Sequence, residues 1–524
     1  MKGERTTLFL ILAACCLLFL TGLGARDFWA PDEGDFAQIV KELDNDLVVP
    51  HLNNTAYGEK PPFFYYAVFA FAKTFPFLPD ETSMRLASAI AALATIMALF
   101  FVVLRSFGLQ RAVISCVILA LSPLFYWQAR YLQVDMVFSA ALVLALLSFF
   151  RFTQGGRTAY YYLFFVLLAF AFMTKGPLAV ALAVPAALFY CASEKKLSLL
   201  AMKHTWVGLI LFLAIVVPWY LAVYFREGLP YLYENILRQN FLRFFDAWSH
   251  KRPFYYYFTT LPLDFFPWSL FLPMGLYAAI RGWGGNHRMR FFTIWFFWLF
   301  FFLSLSSGKI SKYMLPALPA LAVIASGCIT DEKIRYNKIA YPLLGTVLCA
   351  MGIILLVYRP SLYSEFRTER IVIGSLGLAC GILVFVSVGI RRVRTAFACI
   401  TVFMALAYMA GNISIFGKWN LYKSPKPLCV KIRALTGDNI PWVYYGSMRG
   451  VYVYYTGKFA VHIDEHDTTR LKSYAGSEKE FFLLTRERDA KEVESSVPGI
   501  RLKLEQRVGE TDMALFHYTR ERDG

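Results

Sequence analysis

The residues best suited to chemistry lie in the stretch FWAPDEGDFAQIVKELDND, residues 28–46, directly after an apolar N-terminal segment. Acids behind Pro31 are typical of a helix start, where carboxylates meet the positive end of the helix dipole. That accounts for one or two acids, but less well for an adjacent Asp32–Glu33 pair beside a membrane, where charge is costly unless it is used. Asp32 and Glu33 are therefore candidate residues of a functional site. Three further acids are interpreted as a solvated helix end, namely Glu42, Asp44 and Asp46, and Asp35 has no assigned role.

Other candidates follow at intervals along the chain. Asp135 opens an apolar run in YWQARYLQVDMVFSA, residues 126–140, and an ionisable residue entering a membrane helix is a functional candidate. Lys60 stands in YGEKPPFFYY, where a lysine that reaches from the membrane to the interface is an equally good interpretation. More basic residues occur in HKRPFYYYFTTLPLDFFPWSLFLP and SSGKISKYMLPALP: His250, Lys251, Arg252, Lys309 and Lys312, with Tyr313 beside them.

These residue types together indicate one kind of chemistry. Carboxylates orient or deprotonate an acceptor. Lysine and arginine bind a phosphate and offset the charge that develops on it as a leaving group. With an apolar cleft for a lipid tail, the set predicts transfer chemistry on a lipid-phosphate substrate at the outer membrane face.

The chain that must position these residues is a polytopic helical membrane protein. Of its 524 residues 58% are hydrophobic and 17% are charged, and the mean hydropathy is +0.49, whereas soluble domains carry about 25% charged residues. Apolar blocks long enough to cross a bilayer occur near 6–24, 84–104, 112–127, 135–152, 159–174, 177–192, 205–224, 254–279, 290–305, 313–329, 338–357, 370–389 and 395–416. The first is a membrane span and not a cleaved signal, because further spans follow and no small-residue cleavage site is present. The segment 61–77 is short and aromatic, which favours an interfacial or re-entrant helix.

Charge gives this topology a direction. With 61–77 not crossing, the basic loops around 105–111, 151–157, 193–196, 281–290, 331–338 and 391–394 all share the side of the N-terminus. Cytoplasmic loops carry such an excess of lysine and arginine, so the N-terminus is expected in the cytoplasm. The net charge of +17 is explained in this way, and no nucleic-acid partner is expected, because no nucleic-acid-binding motif accompanies it. The cysteines include no CxxC and indicate no disulfide framework.

The composition changes near residue 420, which divides the chain into a membrane domain, 1–419, with an outer loop at 25–83, and a domain at 420–524. Strand-like runs follow the linker YKSPKP: PWVYYG, VYVYYTG, FAVHID, FFLLTRE and ALFHYT. Helix-compatible stretches lie near 424–436, 465–474 and 487–496. Alternating strands and helices predict a small α/β domain on the outer side of the membrane. No Walker A or GxGxxG motif is present.

Several motifs together resemble a known family, and the resemblance runs from about residue 5 to 330. They are FWAPDEGDFAQIVKEL, VVPHLNN, YGEKPPFFYY, LQVDMVF, MTKGP, HKRPFYYY with FPWSLFLP, and GKISKYMLPALP. The chain is similar to the bacterial lipid A aminoarabinose transferases and to the wider protein O-mannosyltransferase-like group of GT-C glycosyltransferases. The resemblance implies a bacterial inner-membrane enzyme with thirteen spans, a periplasmic active site and a periplasmic C-terminal domain.

The resemblance also implies a reaction and its residues. A sugar such as aminoarabinose passes with inversion from undecaprenyl phosphate to an acceptor such as a lipid A phosphate. Asp32 matches the principal catalytic carboxylate, Asp135 a second aspartate and Lys60 a lysine facing the donor phosphate. Residues matched to the donor cavity or to a basic position beside it are Tyr57, Lys175, Lys251 and Tyr313. No cofactor is required, although Glu59 and His250 match a pair that holds structural zinc in the aminoarabinose enzymes.

Two departures and three alternatives stay open. The family commonly has arginine or a similar residue three positions after the catalytic aspartate, where this chain has Asp35. A tetrahedral zinc site uses four ligands rather than two. One alternative is transfer of mannose or another sugar to protein or glycan. A lipid-linked sugar transporter would show matching halves with broken helices, which the sequence lacks, and the last alternative is a non-catalytic protein that binds lipid-linked sugar.

Overall fold

A computed structural model describes residues 2–331, 333–358, 361–437 and 439–520. The remaining positions of the predicted 1–419 and 420–524 domains lie outside the described residues. The chain forms two compact units, one of Met1–Leu23, Gly58–Phe71 and Arg85–Ile415, the other of Gly24–Tyr57, Ala72–Met84 and Phe416–Gly524. Most of the outer loop 25–83 therefore groups with the C-terminal segment, and the boundary at 419/420 stays a prediction.

The first unit is built from apolar helices. In a bilayer every backbone N–H and C=O must be satisfied within the segment, which a helix achieves. Its main helices are Lys2–Leu20, Leu86–Phe107, Leu109–Leu121, Pro123–Ala129, Val134–Thr153, Ala159–Lys175, Leu178–Ser193, Lys203–Leu232, Tyr256–Asp264, Leu272–Arg281, His287–Leu305, Leu318–Ser326, Asn337–Val357, Arg367–Gly389 and Val393–Ala410. A π-helix, Tyr233–Leu242, and a 3₁₀ helix, Ser311–Ala317, extend two of these. The predicted polytopic α-helical class is confirmed.

The thirteen predicted spans outnumber the helices that are long enough to cross a membrane by themselves. Among the described residues, 8 helices are long and apolar enough to cross a membrane, or up to 10 if each of two bent pairs is one span. Three shorter apolar helices complete the set: Ala159–Lys175, Leu178–Ser193 and Ser311–Ser326. Each predicted apolar block falls on one of these segments. The segment 61–77 contains the helix Phe63–Thr74, whose 12 residues extend about 18 Å, well short of a hydrocarbon core of about 30 Å.

A buried arginine holds the N-terminal helix against the turn that precedes Asp135. Arg130 is 6% exposed and donates to the carbonyl oxygens of Leu18 at 3.2 Å, Phe19 at 2.6 Å and Gly22 at 3.1 Å. The last carbonyls of a helix have no partner within the helix. A cation placed there is also attracted to the negative end of the helix dipole. The first span and the start of the Asp135 helix are thereby joined.

The second unit contains a five-stranded mixed sheet. Its strands, with the short antiparallel pair β1–β2, are β1 His51–Leu52, β2 Thr55–Ala56, β3 Trp442–Tyr445, β4 Val461–Ile463, β5 Glu480–Arg486, β6 Arg501–Val508 and β7 Thr511–Thr519. The order is β4-β3-β5-β7-β6, with β3 parallel to β4 and β5, and β7 antiparallel to β5 and β6. Helices of this region are Lys426–Thr436, Gly450–Thr456, Thr468–Ser477 and Ala490–Ser496. The predicted small α/β domain is confirmed.

One strand prediction in this domain was wrong and one strand was missed. VYVYYTG forms the helix Gly450–Thr456 despite its β-branched and aromatic residues. Parallel neighbours β3 and β4 need a crossover between them, and this helix supplies it, ending at Gly457 with φ 68°. The missed strand is β6, whose charged outer positions obscure its alternation.

The solvated helix end predicted for three acids was wrong for Glu42. This residue is 4% exposed and accepts hydrogen bonds from the backbone N–H groups of Asn53 and Asn54, both at 2.8 Å. Both asparagines have positive φ, 54° and 62°, and stand in the turn between β1 and β2. Glu42 therefore fixes this turn, because a carboxylate satisfies two N–H groups that the turn leaves without strand partners.

Candidate functional site: a buried cluster of charges

A buried group of charges lies in the first unit. The Lys175 Nζ donates to Asp135 Oδ1 at 2.5 Å, and the Lys312 Nζ lies 3.7 Å from Asp135 Oδ2. Asp135 is 4% exposed and Lys175 9% exposed. Each carboxylate oxygen thus faces one ammonium group. Asp135 is held as an anion between two cations, which makes it a positioning group for both lysines.

Local sequence explains how these side chains meet. Lys175 is the last residue of the helix Ala159–Lys175, which ends at Gly176 with φ 67°. Asp135 stands in the first turn of Val134–Thr153, where a carboxylate is stabilised by the positive end of the helix. Lys312 belongs to the 3₁₀ helix Ser311–Ala317. All three residues therefore lie at or near helix ends, and their side chains meet there.

Aromatic rings complete the surroundings of the Lys175 ammonium. Its Nζ lies 4.8 Å from the ring centroid of Tyr313 and 5.2 Å from that of Phe138. A ring face attracts a cation within about 6 Å. The rings orient the ammonium while leaving its other hydrogens available to an acceptor.

Lys60 lies close to this cluster and has a lowered pKa. Burial lowers its pKa to about 8, and the positive charges of Arg243 and Lys175 act in the same direction. The carboxylates of Glu59 and Asp135 oppose the change without cancelling it. Its Nζ donates to the Glu59 carbonyl oxygen at 3.0 Å. Lys60 is thus a lysine whose charged form is destabilised by its setting.

The balance of charge indicates what the site binds. Lys60, Lys175 and Lys312 bring three ammonium groups close to the Asp135 carboxylate, and the Glu59 carboxylate also acts on Lys60. Neighbouring cations disfavour each other's charged form. An anion at this place would relieve that repulsion and raise the pKa of Lys60 again. The arrangement therefore fits a phosphate group.

Three basic residues predicted to contact phosphate have other partners. The Lys309 ammonium is 3% exposed and donates to the carbonyl oxygens of Arg252, at 3.0 Å, and Ser306, and its burial lowers its pKa. Lys251 forms an exposed ion pair with Asp246 at 2.6 Å. The Arg252 guanidinium is exposed and lies 5.9 Å from the ring of Tyr256. The phosphate contacts of these residues stay predictions.

The remaining predicted site residues belong to the second unit. Asp32 is the first residue of the helix Asp32–Glu42 and is half-buried. Glu33 is fully buried, with one oxygen 3.1 Å from Arg26 and the other accepting from the Trp29 backbone at 3.4 Å. These contacts hold the start of the helix. The Tyr57 backbone donates to Pro50 at 2.7 Å, and its role in the donor cavity stays a prediction.

The predicted zinc pair does not form a tetrahedral site. Within the described residues no group of three or more His, Cys, Asp and Glu side chains could hold a metal ion. Glu59 and His250 are both exposed. Two ligands fall short of the four of a structural zinc site, so no step of the chemistry is assigned to a metal.

The sequence analysis missed Phe138 and Arg243. Phe138 stands three residues after Asp135, which places both on one helix face, and this spacing could have identified it. Arg243 affects the charge of Lys60 from 183 positions away in the chain, and no local pattern connects the two.

Comparisons with known proteins place these features in context. The family model described as dolichyl-phosphate-mannose-protein mannosyltransferase matches residues 59–221. An undecaprenyl phosphate-alpha-4-amino-4-deoxy-L-arabinose arabinosyl transferase of Pectobacterium atrosepticum is 28% identical over 414 residues, covering 75% of this chain and 72% of the relative. The protein of the same description from Pseudomonas paraeruginosa is 29% identical over 376 residues, covering 70% and 67%.

The solved structures extend the likeness to the whole chain. ArnT from Cupriavidus metallidurans bound to undecaprenyl phosphate superposes with a TM-score of 0.78 and covers 97% of both chains at 18% identity. With the apolar helices, these relatives indicate an integral protein of a bacterial inner membrane. The resemblance to the aminoarabinose transferases and the mannosyltransferase-like group is therefore confirmed, and the fold is the GT-C fold of these membrane glycosyltransferases.

Proposed function

We propose that this protein is an inverting glycosyltransferase that moves 4-amino-4-deoxy-L-arabinose from undecaprenyl phosphate to a lipid A phosphate at the periplasmic face. The observation that carries the proposal is the cluster in which Lys175 and Lys312 meet Asp135 beside Lys60, because several ammonium groups held together in this way suit a phosphate. The relatives described as undecaprenyl phosphate-aminoarabinose arabinosyl transferases, and the ArnT structure bound to undecaprenyl phosphate, support this choice of lipid and sugar.

In this mechanism the lysines bind the phosphate of the donor and favour the departure of undecaprenyl phosphate as the leaving group. Attack of the acceptor oxygen at the anomeric carbon breaks the bond from that carbon to the phosphate oxygen, and undecaprenyl phosphate leaves with the bonding electron pair. Negative charge grows on the phosphate during this step, so cations already fixed beside it stabilise the transition state more than the ground state. Asp135 keeps Lys175 and Lys312 in place for this purpose.

Asp32 acts on the acceptor in the proposal. A lipid A phosphate is already anionic and needs no base, so the carboxylate would position it or stabilise positive charge on the sugar. A hydroxyl acceptor would instead pass its proton to Asp32 as a general base. The half-buried place of Asp32 at a helix start suits both roles.

The proposed orientation has the N-terminus in the cytoplasm and the C-terminal domain in the periplasm. The basic loops near 105–111, 151–157, 193–196, 281–290 and 391–394 support it through the positive-inside rule. Reporter fusions after residues 154 and 520 give the test. Cytoplasmic activity at the first and periplasmic activity at the second are expected, and the reverse pattern would refute the orientation.

Transfer of mannose to protein is the second candidate. It is favoured by the match of the mannosyltransferase family model to 59–221, the range that includes Lys60, Asp135 and Lys175. The candidates differ in the product, since one modifies lipid A and the other a polypeptide.

Mass spectrometry of lipid A from cells with and without the gene tests the function. We expect a mass increment of one aminoarabinose that depends on the gene and disappears in Asp32→Asn, while binding of undecaprenyl phosphate is retained. The exposed carboxylate of Asp44 on the same segment provides the matched control Asp44→Asn, which should keep the increment. Identical lipid A spectra would reject the lipid A acceptor, and full transfer by Asp32→Asn would reject the catalytic assignment.

A further inference from the structure

We infer that the C-terminal segment of the second unit holds the catalytic helix in place, and that Asp35 and Asn420 are positioning residues for Asp32. This inference rests on the proposed function, because it takes Asp32 as the catalytic carboxylate. The contacts that carry it lie on both sides of Asp32 in the sequence.

The first contact follows Asp32 on its own helix. The Asp35 Oδ1 accepts a hydrogen bond from the Gly450 backbone N–H at 2.6 Å. This N–H opens the helix Gly450–Thr456 and has no partner within that helix. The aspartate therefore connects the helix of Asp32 to the C-terminal segment through a charge-assisted bond. The bond also gives Asp35 a role that its place in the sequence does not indicate.

Two glycines bring the same helices into backbone contact. A β-carbon on Gly34 would lie 2.1 Å from the Val451 Cβ and 2.5 Å from its Cα. A β-carbon on Gly450 would lie 3.0 Å from the Asp35 Cα. A side chain at Gly34 would collide with the backbone of Val451, and one at Gly450 would crowd Asp35, so glycine at both positions permits the close approach of the two helices. Asp32 is only two residues before Gly34, within the same helical turn.

A second set of contacts precedes Asp32. The Asn420 Oδ1 accepts from the Asp27 backbone N–H at 3.0 Å and from the Trp29 Nε1 at 3.1 Å. The Tyr455 hydroxyl accepts from the Phe28 backbone N–H at 2.7 Å. The segment that enters the helix is thus fixed by side chains that lie 393 and 427 residues later in the chain.

Together these contacts leave Asp32 little freedom. The chain is fixed at 27–29 and again at 34–35 by the C-terminal segment, and Asp32 lies between the two. Catalysis is sensitive to such restraint, since a displacement of about 1 Å can lower a rate roughly 100-fold. The C-terminal segment is therefore part of the catalytic apparatus through its hold on this helix.

Asp35→Ala, Asp35→Asn and Asn420→Ala test the inference. Asp35→Ala and Asn420→Ala should each lower kcat about 10- to 100-fold while the Kd for undecaprenyl phosphate stays within about twofold. Asp35→Asn keeps an acceptor oxygen and should recover most of the rate. The exposed Asp512→Asn on β7 serves as the control and should match the wild type.

Amide hydrogen exchange supplies a readout that does not depend on activity. In Asp35→Ala we expect faster exchange at 32–36, with the melting temperature of the whole protein little changed. Unchanged exchange and unchanged kcat would overturn the inference, as would equal losses in Asp35→Asn and Asp35→Ala. A parallel loss of donor binding and melting temperature would also overturn it, because Asp35 would then support the fold in general. Failure of the proposed function is recognised separately, by full transfer in Asp32→Asn.

Discussion

Lys60 should make donor binding depend on pH. Burial lowers the pKa of this lysine to about 8, and only its protonated form attracts the donor phosphate. The protonated fraction in the free protein is then about 0.9 at pH 7 and about 0.1 at pH 9, and affinity falls in proportion to the competent fraction. A bound phosphate raises the pKa of Lys60, so the complex stays protonated over this range. The Kd for undecaprenyl phosphate should therefore rise about tenfold from pH 7 to pH 9.

Equilibrium binding of undecaprenyl phosphate to the purified protein between pH 7 and pH 9 measures this effect. A phosphate monoester has its second pKa near 6, so about nine-tenths of the ligand is dianionic at pH 7 and its charge changes little up to pH 9. Lys60→Arg should remove the pH dependence while retaining affinity, because guanidinium stays charged. Lys60→Met should bind weakly at every pH.

The exposed Lys73, which pairs with Asp44, provides the control. Lys73→Met should reproduce the wild-type profile. A wild-type Kd that is constant between pH 7 and pH 9 would contradict the prediction. The same rise in Kd for Lys60→Met would contradict it too, since another group would then be responsible.

Three further outcomes are expected. Asp135→Asn leaves the buried Lys175 and the nearby Lys312 without their carboxylate and should lower the unfolding free energy by about 3–5 kcal/mol, measured by thermal unfolding in detergent; a wild-type melting temperature would count against the ion cluster. Glu33→Ala removes the buried ion pair with Arg26 at 3.1 Å and should lower the free energy of unfolding while the Kd for undecaprenyl phosphate is unchanged. Weaker donor binding at unchanged stability would assign Glu33 to the site. Transfer should persist after dialysis against EDTA, because no group of three metal-ligating side chains occurs in the described part of the chain; loss of activity that zinc restores would establish the metal site.

Sequence alone predicted the membrane part of the fold. A run of about 20 apolar residues must become a helix in a bilayer, whatever surrounds it, because its backbone has no other way to satisfy its hydrogen bonds. For that reason the apolar blocks could be located from composition. The motifs PDE and EKPP identified Asp32 and Lys60 as candidates, because each motif consists of consecutive residues and can be recognised without knowing the fold.

Tertiary structure decided what each charged residue does. Asp135 and Lys175 are 40 positions apart, and only the packing of their helices places their charges 2.5 Å from each other. Lys309 looked like a phosphate ligand, yet the fold directs its ammonium to backbone carbonyls. VYVYYTG has the composition of a strand and becomes a helix because two parallel strands need a crossover.

The acids of residues 28–46 show the same division. Their position beside the first span indicated a functional loop, but their separate roles depend on partners far along the chain. Asp35 pairs with the backbone of Gly450, Glu33 with Arg26, and Glu42 with the turn between β1 and β2. A carboxylate takes its role from the donor that the folded chain brings within about 3 Å, and the spacing of residues in a sequence does not contain that information.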